Sequence, residues 1–331
     1  MGVPNRIDVL RIVVPVALLA AAVVFGTLSY FTLASYETES ANGTFRNTAD
    51  YAGETLSSDF ILMENAIIAM AKNMAYVQPN ASQWPNVLVP GFYDVAEAQR
   101  DSVGLSDVFF QPIVFPEKLE SFLDFMYDYY RSEPFLNASS AGGFLGRGLL
   151  AFYPNDTMYI DHTGETLTYF SPNKILTPFL QILFNQYLNI EVSLGVNMHS
   201  YDVFGEAIDQ LLRCSERAEG NYTKATNECT DMTNIDFMPI GVPLEYVTDY
   251  HSAFLHPIYL GQNTSQVVGF MGGGFNWIEL FSNIFSISEE GIEIVLETIG
   301  TTITFETHNS KVRFKSYGDT HDSGYNDLEK S

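Results

Sequence analysis

Few side chains in this sequence could do chemistry, and their spacing narrows the options. Cys214 and Cys229 are its two cysteines, and they enclose the polar stretch SERAEGNYTKATNE. In an oxidising compartment they are expected to join, closing a loop worth about 3 kcal/mol in chain entropy. The alternative is a pair of reduced, buried thiols. His199, His251 and His256 stand beside no cysteine or serine in a nucleophile motif, and no G-x-S-x-G is present. No Cys or His spacing suits zinc. Asp319, His321, Asp322 and Asp327 are oxygen-rich but lack the D-x-D-x-D-G order of a calcium loop, so a structural turn is expected there. Gly272-Gly273-Gly274 is followed by no Lys-Ser/Thr and is expected to form a bulge or turn before Trp277. Ser288-Glu289-Glu290 reads as a solvated loop. No catalytic residue, metal ligand or cofactor-binding residue is assigned.

Two patterns point to binding and modification instead. Phe110, Phe152, Tyr159 and Tyr169 lie in strand-like runs, where alternate aromatic residues could wall a pocket for a small organic ligand. The competing reading is plain sheet core. Asn42, Asn80, Asn137, Asn155, Asn221 and Asn263 each open an Asn-x-Ser/Thr sequon without proline in the middle. Each is weak alone, but their dispersion fits a glycosylated surface.

The element that must position all of this is Ile12 to Ala34, an uncharged apolar run. As a helix rising about 1.5 Å per residue it matches a hydrocarbon core of roughly 30 Å. Lipid offers backbone groups no partner, so the run must be helical, with Pro15 expected in its first turn. Arg6 and Arg11 precede it, and Glu37 and Glu39 follow, which predicts a cytoplasmic N-terminus and an extracellular or lumenal remainder. Thr32-Leu33-Ala34 would suit cleavage of a signal peptide, but the apolar run exceeds the usual length of one, and an uncleaved anchor is favoured.

The composition past the anchor agrees. The chain has 16 Lys+Arg against 40 Asp+Glu, and residues 1–35 hold two arginines and one aspartate, so the remainder carries −25. Such a surface repels phosphate backbones and anionic headgroups, which argues against nucleic-acid binding and peripheral membrane binding. With 46% hydrophobic residues, 25 Phe and 19 Tyr, it can build a large packed core.

From Tyr36 to Val77 there is no proline, and Phe45, Ala49, Ala52, Leu56, Phe60, Met63, Ile67, Met70 and Met74 are spaced by threes and fours. This predicts a stalk helix over 36–77, continuous with the span and packed on its own domain, with dimerisation as a lesser use. Pro79 and Pro85 stop it. Beyond, SDVFFQPIVFP reads as a buried strand bounded by Pro112 and Pro116, and PEKLESFLDFMYDYYRSE as an amphipathic helix. LLAFYP, TMYIDHTG and TLTYFS follow as strands. SYDVFGEAIDQLLR makes a short helix with Phe204, Ile208 and Leu211 on one face, and after the cysteine loop a strand–helix–strand series repeats the mixture. The expectation is an α+β chain with two lobes, 78–200 and 201–331, behind one long helix.

Particular residues carry a family resemblance. Trp84-Pro85-x-Val87-x-Val89-Pro90-x-Phe92 ahead of Pro112-Ile113-Val114 resembles the CHASE-type sensor ectodomain, as in receptor nucleotide cyclases of unicellular algae. Pro257-Ile258-Tyr259, Val267-Val268-Gly269-Phe270, Trp277, Leu280-Phe281 and Gly291-Ile292-x-x-Val295-Leu296-Glu297 add to it. Its most specific piece is Gly318-Asp319-x-His321-Asp322-x-x-Tyr325-x-x-Leu328-Glu329.

The resemblance, over roughly residues 45–330, implies two tandem PAS-like lobes on a long helix: 78–200 membrane-distal with a small-molecule pocket, and 201–331 membrane-proximal. It also implies a homodimer and a cytoplasmic effector such as a class III nucleotide cyclase or histidine kinase. This chain ends at Ser331 without a second apolar run, and residues 1–11 are too few to catalyse. The expected function is therefore a single-pass, non-catalytic ligand sensor. The alternatives are the sensory part of a cyclase or kinase whose catalytic end lies elsewhere, and an adhesive surface glycoprotein.

Overall fold

The structure, a computed structural model, describes residues 6–132, 149–152, 158–161, 180–183, 196–200, 202–235, 250–285, 291–298, 301–309 and 311–320. The chain divides into two compact units, Met1–Thr55 with Asp322–Ser331, and Leu56–His321. The helix α1, Arg6–Val77, supplies residues to both.

In the first unit α1 carries the apolar run. An 18-residue window there has mean hydropathy 2.0, and none of it is buried, so the helix is long and apolar enough to cross a membrane. Leu19, Phe25 and Phe31 are 64–71% exposed, which distinguishes it from a core helix of the same composition. The hydroxyls of Thr27 and Thr32 donate to the carbonyls of Val23 and Leu28, which satisfies them within the helix. Pro15 lies inside α1 rather than in its first turn, because the helix already begins at Arg6.

In the second unit α1 covers a sheet. Met63, Ile67, Met70 and Met74, spaced four, three and four, are 0–5% exposed, as that spacing predicts. The Phe60 ring meets those of Phe254, Phe275 and Trp277 at 5.5–5.8 Å. Full burial of a side chain such as Ile67 contributes about 1.5–3 kcal/mol. The chain then runs through α2 (Phe92–Val103), β1 (Asp107–Val114) and α3 (Leu119–Ser132). Short strands β2 (Leu149–Phe152), β3 (Met158–Asp161), β4 (Leu180–Leu183) and β5 (Val196–Asn197) follow. Next come α4 (Asp202–Arg217), α5 (Tyr222–Glu228), β6 (Asp231–Ile235), β7 (His251–Tyr259) and β8 (Val267–Asn276). The described part ends with α6 (Trp277–Ile284), β9 (Glu293–Thr298), β10 (Thr301–His308) and β11 (Lys311–Tyr317).

The chain is α+β, with antiparallel pairing dominant. One eight-stranded sheet has the order β3-β2-β5-β4-β1-β8-β7-β6, and a three-stranded sheet has the order β11-β10-β9. Strand β1 pairs with β8 from Asp107↔Gly274 to Pro112↔Gly269, so segments on either side of residue 200 share this sheet. One face takes α1. The other takes α4, where Phe109, Ile113 and Phe270 pack with Phe204, Ile208 and Leu211. The small sheet packs on α6, with Phe305 meeting Phe281 at 5.4 Å.

Two local expectations change. Gly272, Gly273 and Gly274 form neither bulge nor turn: they lie within β8, paired on both sides. Close packing is the reason. A Cβ at Gly272 would fall 2.1 Å from the Phe109 ring, and one at Gly273 would fall 2.5 Å from Ile67. Pro112 lies inside β1 rather than bounding it. Its register partner Gly269 has no side chain, and a Cβ there would stand 3.1 Å from the Pro112 Cα.

Candidate functional site

Strand β1 is buried along its whole length, and alternation divides its side chains between the two sheet faces. Val108 and Phe110 belong to the α1 face. Asp107, Phe109, Gln111 and Ile113 belong to the α4 face. Two of these are polar in an apolar layer, and they define the candidate site.

Gln111 is fully buried, and among the described residues neither its side-chain oxygen nor its nitrogen has a hydrogen-bond partner. Its register partner on β8 is Phe270, and Phe109 and Ile113 flank it. A buried amide without partners costs about 1–3 kcal/mol per orphaned group, which a partner that both donates and accepts would recover. Asp107, 9% exposed, lies across Gly274, where a Cβ would fall 1.9 Å from its Oδ1. Burial pushes its carboxyl up to about 6, although Ser106 Oγ at 3.3 Å and the Gly274 backbone favour the charged form.

The histidines occupy structural positions. His199 Nε2 stands 3.1 Å from Asp209 Oδ1, and both side chains are 4% exposed. His256, on β7, has Nδ1 3.0 Å from Thr230 Oγ1, and burial with the nearby Lys72 charge lowers it to about 4. His251 Nε2 lies 3.4 Å from Asn276 Nδ2. On the α4 face, Tyr259 OH lies 2.7 Å from Ser215 Oγ, and burial raises the phenol to about 12. These are buried or half-buried polar groups with side-chain partners, and among the described residues no nucleophile is set against a base.

Of the four aromatics chosen for a pocket wall, Phe110 is fully buried, edge-on to Trp84 at 5.6 Å. Strand order places Phe152, on β2, three strands from it, and Tyr159, on β3, four strands away. At about 4.8 Å per strand these backbone separations are roughly 14 and 19 Å. Tyr169 lies outside the described residues, as do His321, Asp322, Asp327, Ser288, Glu289 and Glu290. A cavity of about 40 Å³ sits elsewhere, lined by Met70, Met74, Val89, Pro90 and Phe92, and has room for a water or two. Sequence reasoning passed over Gln111 and Asp107. The available signal was a glutamine within DVFFQPIV, a largely apolar run expected to be buried, where a residue type that is mostly exposed stands out.

Cys214 and Cys229 are joined, with Cα atoms 5.6 Å apart. The loop they close holds α5, whose N-cap Asn221 accepts from Lys224 N at 3.0 Å. Of the sequon asparagines, Asn80, Asn221 and Asn263 are exposed, Asn42 is half-buried on α1, and Asn137 and Asn155 lie outside the described residues. The chain matches no known family model, and no curated protein matches it.

Proposed function

We propose that this protein is a membrane-anchored ligand sensor of the CHASE kind, with the domain beyond the anchor on the extracellular or lumenal side and no catalysis of its own. The observation that carries the reading is Gln111, a fully buried amide whose donor and acceptor both lack a partner among the described residues. It stands in the segment expected to hold the ligand pocket. The ligand class it favours is a small neutral or acidic molecule presenting an amide or carboxylic acid edge, which pairs with a carboxamide through two hydrogen bonds. The antiparallel sheet, with β1 central and α1 laid on one face, supports a PAS-like architecture. Because α1 holds both the apolar window and the residues packed on β8, a shift of the sheet against α1 is the proposed signal.

The proposed partner is a second copy. From Ser57 to Val77 the exposed positions of α1 are Ser57, Ser58, Ile61, Leu62, Asn65, Ala69, Lys72, Asn73, Tyr76 and Val77. None is a carboxylate, in a chain with 40 Asp+Glu. Ser58, Leu62, Asn65, Ala69, Lys72 and Tyr76 alternate steps of four and three, the spacing of a coiled-coil seam. Two strongly acidic chains can meet along such a face without like-charge repulsion.

A thermal-unfolding screen of the full chain in lipid nanodiscs tests the reading, using a set of amino acids, primary amides and short carboxylic acids. The expected result is a compound that raises the midpoint of the wild type and not of Gln111→Leu. Compounds that protect neither form, or both equally, would overturn it.

A further inference from the structure

The described sequons differ in what the fold has done with them, and two of them meet. Gly220 N donates to Thr264 Oγ1 at 3.1 Å. Gly220 precedes Asn221, and Thr264 is the middle residue of the Asn263 sequon, so each acceptor asparagine sits one residue from that bond. Asn263 Oδ1 accepts from Ser265 N at 3.1 Å, and Asn80 Oδ1 accepts from Ser82 N at 3.0 Å. In both, the side-chain oxygen is tied to the hydroxyl residue of its own sequon, which leaves Nδ2 as the group presented to solvent. Asn221 Oδ1 is likewise held, by Lys224 N at the start of α5. All three asparagines are exposed, and so are Ser82, Thr223 and Ser265.

Asn42 is held differently. It is half-buried within α1, and the Thr44 hydroxyl of its sequon donates to the Ser40 carbonyl at 3.0 Å. It lies eight positions beyond Ala34, about 12 Å along the helix axis. An enzyme that must take hold of an extended acceptor strand finds there a wound helix whose hydroxyl is already engaged, close to the end of the apolar run.

We propose that Asn80, Asn221 and Asn263 carry N-linked glycans, that Asn42 carries none, and that the Asn221 and Asn263 glycans form one paired patch over the β7–β8 turn and the disulfide loop. In the transfer, Asn Nδ2 bonds to the anomeric carbon of a lipid-diphosphate-linked oligosaccharide and gives up one proton. The sugar–phosphate C–O bond breaks, and the lipid diphosphate leaves with the electron pair. The patch closes that end of the sheet to protein partners, while the exposed face of α1 over 58–73 carries no sequon. The inference rests on the placement of the domain outside the cytoplasm.

The test is site mapping on the full chain made in a eukaryotic secretory host. Glycans are released enzymatically in ¹⁸O-water, and the converted asparagines are read by mass spectrometry. The expected result is label at Asn80, Asn221 and Asn263 and none at Asn42. Label at Asn42 overturns the inference. Label at Asn137 or Asn155 without the three exposed sites also overturns it and leaves the lumenal placement standing. No label at any sequon overturns both.

Discussion

Asp107 and His256 are buried ionisable groups whose effects oppose each other across mildly acidic pH. Asp107 is raised from 3.8 to about 6 in the folded state, so the fold holds its proton more tightly than the unfolded chain does. Its stabilising contribution is complete below the unfolded value of 3.8 and is lost as pH rises through about 6, a loss of about 3 kcal/mol. His256 is lowered from 6.5 to about 4, so its contribution is present above 6.5 and is lost as pH falls through about 4. Thermal unfolding followed by circular dichroism separates the two. Asp107→Asn is expected to be more stable than wild type at pH 7 and to lose stability on acidification more steeply, since His256 then acts without its counterweight. An unchanged pH profile in Asp107→Asn would sink this account. Neither shift was legible in the sequence, because both arise from burial by residues far along the chain: Gly274 lies over Asp107, and Lys72 lies near His256.

At the scale of elements, α1 has two faces with different work. Ile67 fills the space above Gly273, so Ile67→Ala is expected to cost about 2–5 kcal/mol in chemical denaturation. Leu62, 51% exposed, lies in the proposed seam, so Leu62→Glu is expected to leave folding intact and convert a dimer to a monomer in sedimentation of the detergent-solubilised chain. A monomeric wild type, or a Leu62→Glu chain that stays dimeric, would remove the seam. The buried face of α1 was plain in the sequence, since Met63, Ile67, Met70 and Met74 keep helical spacing and Pro79 follows Val77. The triple glycine of β8 was not. A glycine run reads locally as a turn, and only the Phe109 ring and Ile67, brought over it by the fold, explain why it is strand. The same holds for the candidate site. Gln111 is visible as a polar residue in an apolar run, but that both its groups lack partners among the described residues follows from packing against elements more than 80 residues away, such as α4 and β8.

At the scale of the molecule, three features bear on the proposed placement. The helix carries an unburied apolar window, the chain beyond it has net charge −25, and the two cysteines are joined within it. A disulfide persists in an oxidising compartment, and a surface so acidic stays clear of anionic headgroups. The strand order also shows what composition could not. Segments before and after residue 200 contribute to a single sheet through β1 and β8, a pairing that spans more than 150 residues and leaves no local trace.

The most direct test of the central claim, an anchored domain facing away from the cytoplasm, is protease protection of the chain synthesised into sealed microsomes. The account predicts that a fragment beginning near residue 12, the span and everything beyond it, survives protease added outside, and that the domain is digested once detergent opens the vesicles. Digestion of that fragment in intact vesicles would put the domain in the cytoplasm and contradict the account.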